Sequence, residues 1–397
     1  MQDEMPLTRK DEGVAAVPFV EDPASPDGRR LRVLHVILMV GPTNGQYNEH
    51  CLPLMDVRDL AVCTFFPPQL VPPARIAMYP GDGTIRGFFS AVRAAMDAGP
   101  YDIIHVHAPQ SGALFPLSLL ALRTFRAARR SLVYTVQDSF YDYSLRDQSL
   151  MIASMPAYKR VIFCSRAAYD SVPGIWKRLV RGRWRVVANG FDLERVDAAL
   201  AAAPLRHDGE TFVVASVARL AKVKDPMTLL RSFVKGAPDG RLLVVGAGAM
   251  EPAVRERVAD LGVDDRVEFT GLIPRDEVFR RCATADVFVS TSLGEGLPVA
   301  VMEAMASGCP VILSDIPPHR ELADGADFIP FVPVGDVNGF AREIARFREM
   351  SPEERAEIGR RSRDHVVVRF TLDTMHDAVA SVYRDVLEDA GARRSAG

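Results

Sequence analysis

The segment 285–313 constrains the fold most, because it reads as a strand, a glycine loop, a helix and a second strand in direct succession. The apolar run 285–290 predicts a buried strand, and the loop 294–296 begins and ends with glycine. Pro298 suits the first position of a helix, where its missing N–H costs nothing, and Gly308 is typical of a helix end. Such a junction directs free backbone N–H groups and the positive end of the helix dipole at one point, which favours a bound phosphate.

Two glutamates flank this predicted helix. Glu303 lies among small and apolar neighbours, and a glutamate in such surroundings is seldom buried without a partner. The hydroxyls of a bound ribose or sugar would be suitable partners, and Glu295 precedes the helix at the same mouth. In the alternative interpretation, Glu295 only complements the helix dipole and Glu303 turns to solvent. We favour the first interpretation, because the residues one turn on either side of Glu303 are small or apolar.

The stretch from Glu295 to Gly308, EGLPVAVMEAMASG, resembles the E-x7-E signature of glycosyltransferase family 4 (GT4), a family of retaining, nucleotide-sugar-dependent enzymes. The resemblance implies an α/β protein of the GT-B type, with two Rossmann-like domains facing each other across a cleft. It implies a C-terminal helix that crosses back onto the N-terminal domain. It also implies that Glu303 holds the ribose hydroxyls and that Glu295 contacts the donor sugar. The further donor contacts that it implies are Gly296, Leu297, Pro298 and Val299.

A second motif, 217–226, follows the first strand predicted for the carboxy-terminal half. Arg219 and Lys224 are placed to point at the carboxyl end of that strand, where open α/β sheets bind ligands. Two cations at this point suit a diphosphate, although a solvated loop with ordinary surface cations is the alternative. Their order before the E-x7-E stretch resembles the Arg…Lys pair with which GT4 enzymes hold the donor phosphates. The resemblance thus implies Arg219, Lys224 and Glu295 as the catalytic residues.

Three further segments are weaker matches on the donor side. The turn Gly246-Ala247-Gly248 lacks the third glycine of a dinucleotide fingerprint. The segment 269–272 resembles the GT4 backbone that lies near the base, which implies Leu272 as a donor contact. Gly45 is the better match to the GT4 glycine pair near the first strand, and we expect it to contact the donor as well.

The acceptor side is predicted in the amino-terminal half. The strand end 102–107 resembles the GT4 pattern Asp-x-x-His-x-His, and the period of two places His107 nearer the cleft, although a histidine here is more often structural. Gln137 and Asp138 stand where many members carry His-Asp. Glutamine can bond a sugar hydroxyl but does not titrate. We therefore expect these three residues to face an acceptor that differs from the usual one.

The length of 397 residues is too great for one typical core and sufficient for two. Strand and helix patterns alternate along the chain, which predicts parallel βαβ units. The predicted strands include 103–107, 132–136 and 287–290, and the predicted helices include 84–97, 114–129 and 166–180. We expect a disordered tail over 1–30 and an N-terminal Rossmann-like acceptor domain over 31–200. A C-terminal nucleotide-sugar-binding domain is predicted over 201–371, followed by the returning helix 372–389.

Composition excludes several classes of protein. With 48 Lys and Arg against 51 Asp and Glu, the net charge of −3 gives no overall attraction to nucleic acid. The five cysteines are scattered without metal-ligand spacing, which predicts buried free thiols in a reducing cytoplasm. We expect no signal peptide, because the amino-terminal residues lack an apolar h-region, and no apolar run is long enough to span a bilayer. The basic stretches 123–130 and 176–185 are either solvated helix ends or sites of weak contact with the inner membrane face.

The combined hypothesis is a hexosyltransferase of class EC 2.4. It takes a hexose-type sugar from a nucleoside diphosphate sugar, with UDP expected, and transfers it to a hydroxyl of a glycan, glycolipid or small-molecule acceptor. Retention of configuration is implied by the GT4 resemblance, and we expect no metal or other cofactor. The alternatives are a GT-B sugar-nucleotide 2-epimerase, a dinucleotide oxidoreductase and a catalytically inactive sugar-nucleotide-binding module.

Overall fold

The computed structural model describes residues 28–42, 44–202 and 211–391, and every element named below lies within those ranges. The predicted tail falls outside the described residues except for positions 28–30. The alternating strand and helix patterns form two parallel sheets of seven and six strands, each covered by helices. The prediction of two Rossmann-like α/β domains is therefore confirmed.

The first domain is built on a parallel sheet with the strand order β3-β2-β1-β4-β5-β6-β7. Its strands are β1 (Arg32–Ile37), β2 (Asp59–Thr64), β3 (Ala77–Pro80), β4 (Ile103–His107), β5 (Leu132–Val136), β6 (Arg160–Phe163) and β7 (Trp184–Val186). Its helices are α1 (Gly45–His50), α2 (Ile85–Asp97), α3 (Pro109–Ala121), α4 (Phe125–Ala128), α5 (Leu145–Ser154), α6 (Arg166–Ser171) and α7 (Gly174–Lys177). The central strands are short apolar runs buried on both faces, as expected of a parallel sheet between helix layers.

The second domain is built on a parallel sheet with the order β10-β9-β8-β11-β12-β13. Its strands are β8 (Val213–Val217), β9 (Arg241–Val245), β10 (Val267–Gly271), β11 (Val287–Ser290), β12 (Val311–Ser314) and β13 (Phe331–Val332). The helices that follow β7 are α8 (Leu193–Ala202), α9 (Pro226–Gly236), α10 (Glu251–Asp260), α11 (Arg275–Ala283), α12 (Val299–Ala306), α13 (Pro317–Leu322), α14 (Val337–Glu349), α15 (Pro352–Val367) and α16 (Leu372–Gly391). The strand order reverses between β8 and β11, and ligands of open α/β sheets bind at such a switch point.

Helix α16 joins the end of the chain to the first domain. Its residues Met375, Val379 and Tyr383 belong to the same buried apolar cluster as Val33 of β1 and Val62 of β2. The predicted return of the last helix to the N-terminal domain is therefore present. Among the described residues, no helix has the length and apolar character needed to cross a bilayer.

Several element boundaries differ from the predicted ones for local reasons. The predicted boundary at residue 200 falls inside α8, and α8 packs against α11 and α12 of the second domain. The helix expected over 166–180 is broken, because Pro173 precedes α7 and ends the hydrogen-bond ladder of α6. Helix α3 starts earlier than expected because it is apolar on nearly all sides, which removes the helical periodicity from its sequence.

Four histidines form a buried cluster inside the first domain. His35 Nδ1 lies 3.2 Å from His107 Nε2, and His50 lies beside them. His105 is bonded through Nδ1 to the Tyr383 hydroxyl at 2.7 Å and through Nε2 to Thr135 at 2.6 Å. All four side chains are nearly or fully buried, and burial lowers their pKa values well below 6.5. The structure thus places His107 in the domain interior, where the period-two pattern had suggested the cleft.

We predict that the protein loses stability as the pH falls from 7 to 5. Because the four histidines have lowered pKa values in the folded state, the unfolded chain binds protons below pH 6.5 that the folded chain does not. Each histidine should lower the free energy of unfolding by at most about 2 kcal/mol over this range, and the raised pKa values of Glu49 and Asp142 oppose part of the fall. Urea midpoints at the two pH values measure the change, and His107→Asn should show a smaller one. Equal midpoints for the unmodified protein would contradict this account.

Candidate functional site

A cavity of about 190 Å³ opens at the carboxyl ends of β8 and β11. We call it the cleft cavity. The residues that line it are Ser216, Val217, Ala218, Arg219, Lys224, Phe288, Ser290, Thr291, Ser292, Glu295, Leu297, Pro298, Val299, Ala300 and Val301. Of the predicted site residues, the cavity brings together Arg219, Lys224, Glu295 and the start of α12. It lies at the switch point of the second sheet, where the fold places a ligand.

Lys224 and Glu295 form an ion pair at the wall of the cavity. Lys224 Nζ lies 2.5 Å from Glu295 Oε1, and the side chains are 19% and 11% exposed. Ser292 Oγ donates to the same carboxylate oxygen at 2.7 Å. Arg219 is exposed at the mouth of the cavity. The arrangement gives one cation paired with a carboxylate and one solvent-exposed cation at the same cavity.

The position of Lys224 is set by the turn that carries it. Asp225 has a left-handed backbone with φ of 42°, and its carboxylate caps α9 by accepting from the Thr228 N–H. The Thr291 hydroxyl donates to the Lys224 carbonyl at 3.1 Å and to the Asp225 carbonyl at 2.9 Å. The lysine backbone is therefore tied to the strand end that precedes Glu295.

Helix α12 begins one residue later than the sequence suggested. Pro298 is the cap residue, with ψ of 91°, and its carbonyl accepts from the N–H groups of Val301 and Met302. The first N–H groups of a helix have no partner within the helix. Because Val299 and Ala300 line the cleft cavity, the free N–H groups and the positive dipole end lie at its wall.

Glu303 is buried as predicted, but it has a different partner. The side chain lies one turn beyond the cavity wall and is 8% exposed. Arg275, the first residue of α11, donates from Nε to Glu303 Oε1 at 2.5 Å. Its Nη2 also donates to Glu49 Oε1 of the first domain at 3.0 Å. Sequence reasoning missed Arg275 and Glu49, although a cation opposing the dipole at a helix start is an unusual placement that could have drawn notice.

The first domain forms hydrogen bonds with the loop that leads into α12. Three of its side chains donate to the carbonyls of residues 295–297: Ser139 at 2.6 Å, Ser165 at 2.7 Å and Asn189 at 3.3 Å. A Cβ at Gly296 would lie 2.0 Å from the Gln137 carbonyl, so glycine is required for this approach. The loop that leads into the cavity-lining start of α12 is thus fixed by hydrogen bonds from the first domain.

Two aspartates of the first domain, Asp138 and Asp142, lie close enough to Glu295 and Lys224 to interact with their charges. The pKa of Asp138 is raised by loss of hydration, and the charge of Glu295 adds to the rise while Lys224 opposes it. The pKa of Asp142 is raised to about 6 by loss of hydration and by the charges of Asp138 and Glu295. A Cβ at Gly294 would lie 2.0 Å from Asp142 Oδ1, which shows how close the two loops are. The charges of Glu295 and Lys224 therefore act on Asp138. Gln137 approaches Gly296 through its backbone carbonyl.

The remaining predicted contacts lie outside the cavity wall. Leu272 is 73% exposed, and Gly45 lies against the carboxylate of Glu49. Gly45 is therefore next to a partner of Arg275, and neither residue lines the cavity that holds Lys224. Gly246 has φ of 124° and faces the Ala218 carbonyl, where a Cβ would come within 2.1 Å. This close approach of the backbone explains why residue 246 is glycine, so the Gly-x-Gly turn is no evidence for a bound dinucleotide.

One group of described residues has the spacing of metal ligands. Ring nitrogens of His35, His105 and His107 lie within 4.8 Å of one another in the buried histidine cluster. Both nitrogens of His105 are already bonded to hydroxyls, and His35 and His107 are bonded to each other. A metal ion held by all three residues would have to displace a hydroxyl from His105, whereas His35 Nε2 and His107 Nδ1 are buried without a hydrogen-bond partner among the described residues.

Comparison with known proteins gives matches in both domains. A model of the family described as Glycosyl transferases group 1 matches residues 199–365, and a model described as Glycosyltransferase Family 4 matches residues 58–195. The phosphatidyl-myo-inositol mannosyltransferase of Mycolicibacterium smegmatis is 27% identical over 300 residues, which are 72% of each chain. The GDP-mannose:cellobiosyl-diphosphopolyprenol alpha-mannosyltransferase of Xanthomonas oryzae pv. oryzae is 26% identical over 296 residues, which are 70% of this chain and 74% of the relative.

A solved structure matches nearly the whole chain. The crystal structure of HepE from Anabaena in complex with UDP-glucose superposes with a TM-score of 0.71 at 18% identity. The match covers 91% of this chain and 100% of HepE. At this identity the likeness bears on the fold alone, and it agrees with two Rossmann-like domains across a cleft.

We predict that Gly296→Ala lowers stability by about 1–3 kcal/mol, because the new methyl group would overlap the Gln137 carbonyl. The matched control is Gly174→Ala, since a Cβ at Gly174 meets no atom within 4 Å. Thermal unfolding midpoints of both variants measure the difference. If the two variants unfold at the same temperature, the loop does not approach the first domain as closely as described.

Proposed function

The chain belongs to the GT4 group of glycosyltransferases, and on this premise we propose that it transfers a hexose from a nucleoside diphosphate sugar to a hydroxyl group with retention of configuration. One observation carries the proposal. Arg219, Lys224, Glu295 and the start of α12 surround a single cavity at the switch point of the second sheet. Two cations and free backbone N–H groups around one cavity are the groups that a departing diphosphate needs.

In the proposed reaction, the bond between the sugar anomeric carbon and the diphosphate oxygen breaks, and negative charge builds on the diphosphate. Lys224 and Arg219 would stabilise that charge together with the N–H groups of α12. The acceptor hydroxyl forms the new bond to the anomeric carbon on the same face, and its proton passes to the departing phosphate oxygen. Glu295 would accept bonds from the sugar hydroxyls once Lys224 turns to phosphate.

The donor ribose is assigned to Glu303 in this proposal. The carboxylate lies one turn beyond the N–H groups of α12, on the same helix that would hold the diphosphate. The ribose and the diphosphate of a nucleotide are neighbouring groups, so one short helix can serve both. The charge supplied by Arg219, Lys224 and α12 takes the place of a divalent cation in this reaction, and we expect activity to persist in EDTA.

The proposed acceptor lies on the side of the first domain, where Asp138 and Asp142 are near the charges of Glu295 and Lys224. Both relatives named above are called after lipid-linked molecules, phosphatidyl-myo-inositol and cellobiosyl-diphosphopolyprenol. We therefore favour a glycolipid or lipid-linked glycan over a free small molecule. The raised pKa of Asp142 leaves this side chain able to donate or accept a bond near neutral pH.

Contact with an anionic membrane stays a prediction, and two surface features support it. The arginines at 123, 126, 129 and 130 are exposed, and Leu117 and Leu120 of α3 are 53% and 55% exposed beside them. Trp176 in the second basic stretch is 38% exposed. We place the enzyme in the cytoplasm at the inner membrane face, and the five buried, unpaired cysteines fit a reducing compartment.

We predict that Lys224→Ala and Arg219→Ala lower kcat by roughly 10²-fold or more, because each removes charge stabilisation from the departing diphosphate. Glu303→Ala should raise the donor KM instead. Lys222→Ala is the matched control, since Lys222 lies on the same turn but does not line the cavity. Steady-state kinetics separate the effects, and near-normal rates in the first three variants would refute the site.

The donor is identified by thermal shift with UDP-, GDP-, ADP- and dTDP-sugars. We expect a UDP-hexose to raise the unfolding temperature most. A larger rise with GDP-mannose would show that the donor base is guanine and not uracil. Incubating enzyme and donor without acceptor then tests the 2-epimerase alternative, because an epimerase releases UDP and free sugar rapidly under these conditions. A donor that binds and is transferred to no acceptor would leave the inactive binding module as the better account.

A further inference from the structure

Arg275 lies between two buried carboxylates that come from different domains. Its Nε is 2.5 Å from Glu303 Oε1, and its Nη2 is 3.0 Å from Glu49 Oε1. We propose that Arg275 is a positioning residue that holds Glu303 in place for the donor ribose, and that Glu49 holds Arg275 from across the cleft. The inference rests on the proposed function, because it assumes that Glu303 binds the ribose of a nucleotide sugar.

Helix geometry alone does not account for the place of Arg275. It is the first residue of α11, where the positive end of the helix dipole disfavours a cation. The acidic residues that suit this helix end, Asp276 and Glu277, are engaged elsewhere: Asp276 pairs with Arg195 at 2.5 Å, and Glu277 pairs with two arginines of its own helix. The two carboxylates in front of Arg275 are therefore the groups that stabilise its position.

The charges of the cluster do not cancel. Two carboxylates share one guanidinium, and the side chains of Glu303 and Glu49 are only 8% and 12% exposed. Burial and the nearby Glu303 raise the pKa of Glu49 to about 7, while Arg275 opposes the rise. Glu303 has the shorter bond to the guanidinium, 2.5 Å against 3.0 Å for Glu49, so it is the closer partner of Arg275.

Glu49 is itself held rigidly by the first domain. Asn44 caps its helix by accepting from the Tyr47 N–H at 2.8 Å, and the Glu49 carbonyl accepts from His376 Nε2 of α16 at 2.6 Å. The Glu49 carboxylate lies over Gly45, where a Cβ would come within 3.3 Å of Oε2. Glu49 thus offers Arg275 a fixed partner that the second domain does not supply.

The arrangement predicts different effects for substitutions of Arg275 and of Glu49. Without Arg275, Glu303 is a buried carboxylate beside another carboxylate, and it should protonate or turn away from the ribose site. Without the Glu49 charge, Arg275 still pairs with Glu303 but is held less firmly. Because Glu49 acts only through Arg275, its substitution should add nothing once Arg275 is gone.

The test uses the full chain with Arg275→Gln, Arg275→Lys, Glu49→Gln and the double variant of Arg275→Gln and Glu49→Gln. Calorimetry measures the Kd for UDP, or for GDP if the thermal-shift series selects it, and kinetics give KM and kcat. We expect Arg275→Gln to raise Kd and donor KM about tenfold with kcat within about threefold of the unmodified enzyme. Arg275→Lys should recover part of the affinity, and the double variant should bind no more weakly than Arg275→Gln.

Arg281→Gln is the matched control, because Arg281 lies on the same helix and its ion pairs within the described ranges are with Glu277 and Glu268. It should bind the nucleotide as the unmodified enzyme does. If Arg275→Gln lowers the unfolding temperature but leaves Kd and KM unchanged, the cluster merely joins the domains and the inference is overturned. If the unmodified enzyme binds no nucleoside diphosphate and transfers no sugar, the proposed function fails first and the inference with it.

Discussion

The close approach of the loop 294–297 to the first domain is the contact on which the rest of the site depends. Carbonyl groups ahead of a helix point away from it and need donors, and here the donors are Ser139, Ser165 and Asn189 of the other domain. Only glycine at 294 and 296 leaves room for the facing Asp142 carboxylate and Gln137 carbonyl. The start of α12, which lines the cleft cavity, is therefore positioned by both domains.

The two glutamates of the E-x7-E stretch each face a cation. Glu295 pairs with Lys224 at the cavity wall, and Glu303 pairs with Arg275 behind it. Buried carboxylates need such partners, and each glutamate already has a cationic one in the protein without ligand. A phosphate can replace Glu295 as the partner of Lys224, whereas Arg275 is in addition held by Glu49 and would keep its place. The Lys224–Glu295 pair can thus open to bind a ligand, whereas the Arg275–Glu303 pair stays in place.

Much of the fold follows from local patterns. The strands at 103–107, 132–136 and 287–290 coincide with the predicted ones because each is an apolar run bounded by turn residues. The pattern was less informative where an element is buried on all sides, as in α3, or where two helices meet at a proline, as at Pro173. His107 shows a related limit, since its strand position was identified while its burial depended on His35 from a neighbouring strand.

The sequence by itself determined which residues carry charge and hydrogen-bonding groups next to strand ends and helix starts, because those placements depend on neighbours within a few positions. It therefore predicted the domain type, Arg219, Lys224 and both glutamates as a group. Only the tertiary structure decided their partners. Glu49 and Arg275 are 226 residues apart in the chain, and no local pattern relates them. Their contact exists because the two sheets close over the cleft, which is a property of the packed molecule and not of any segment.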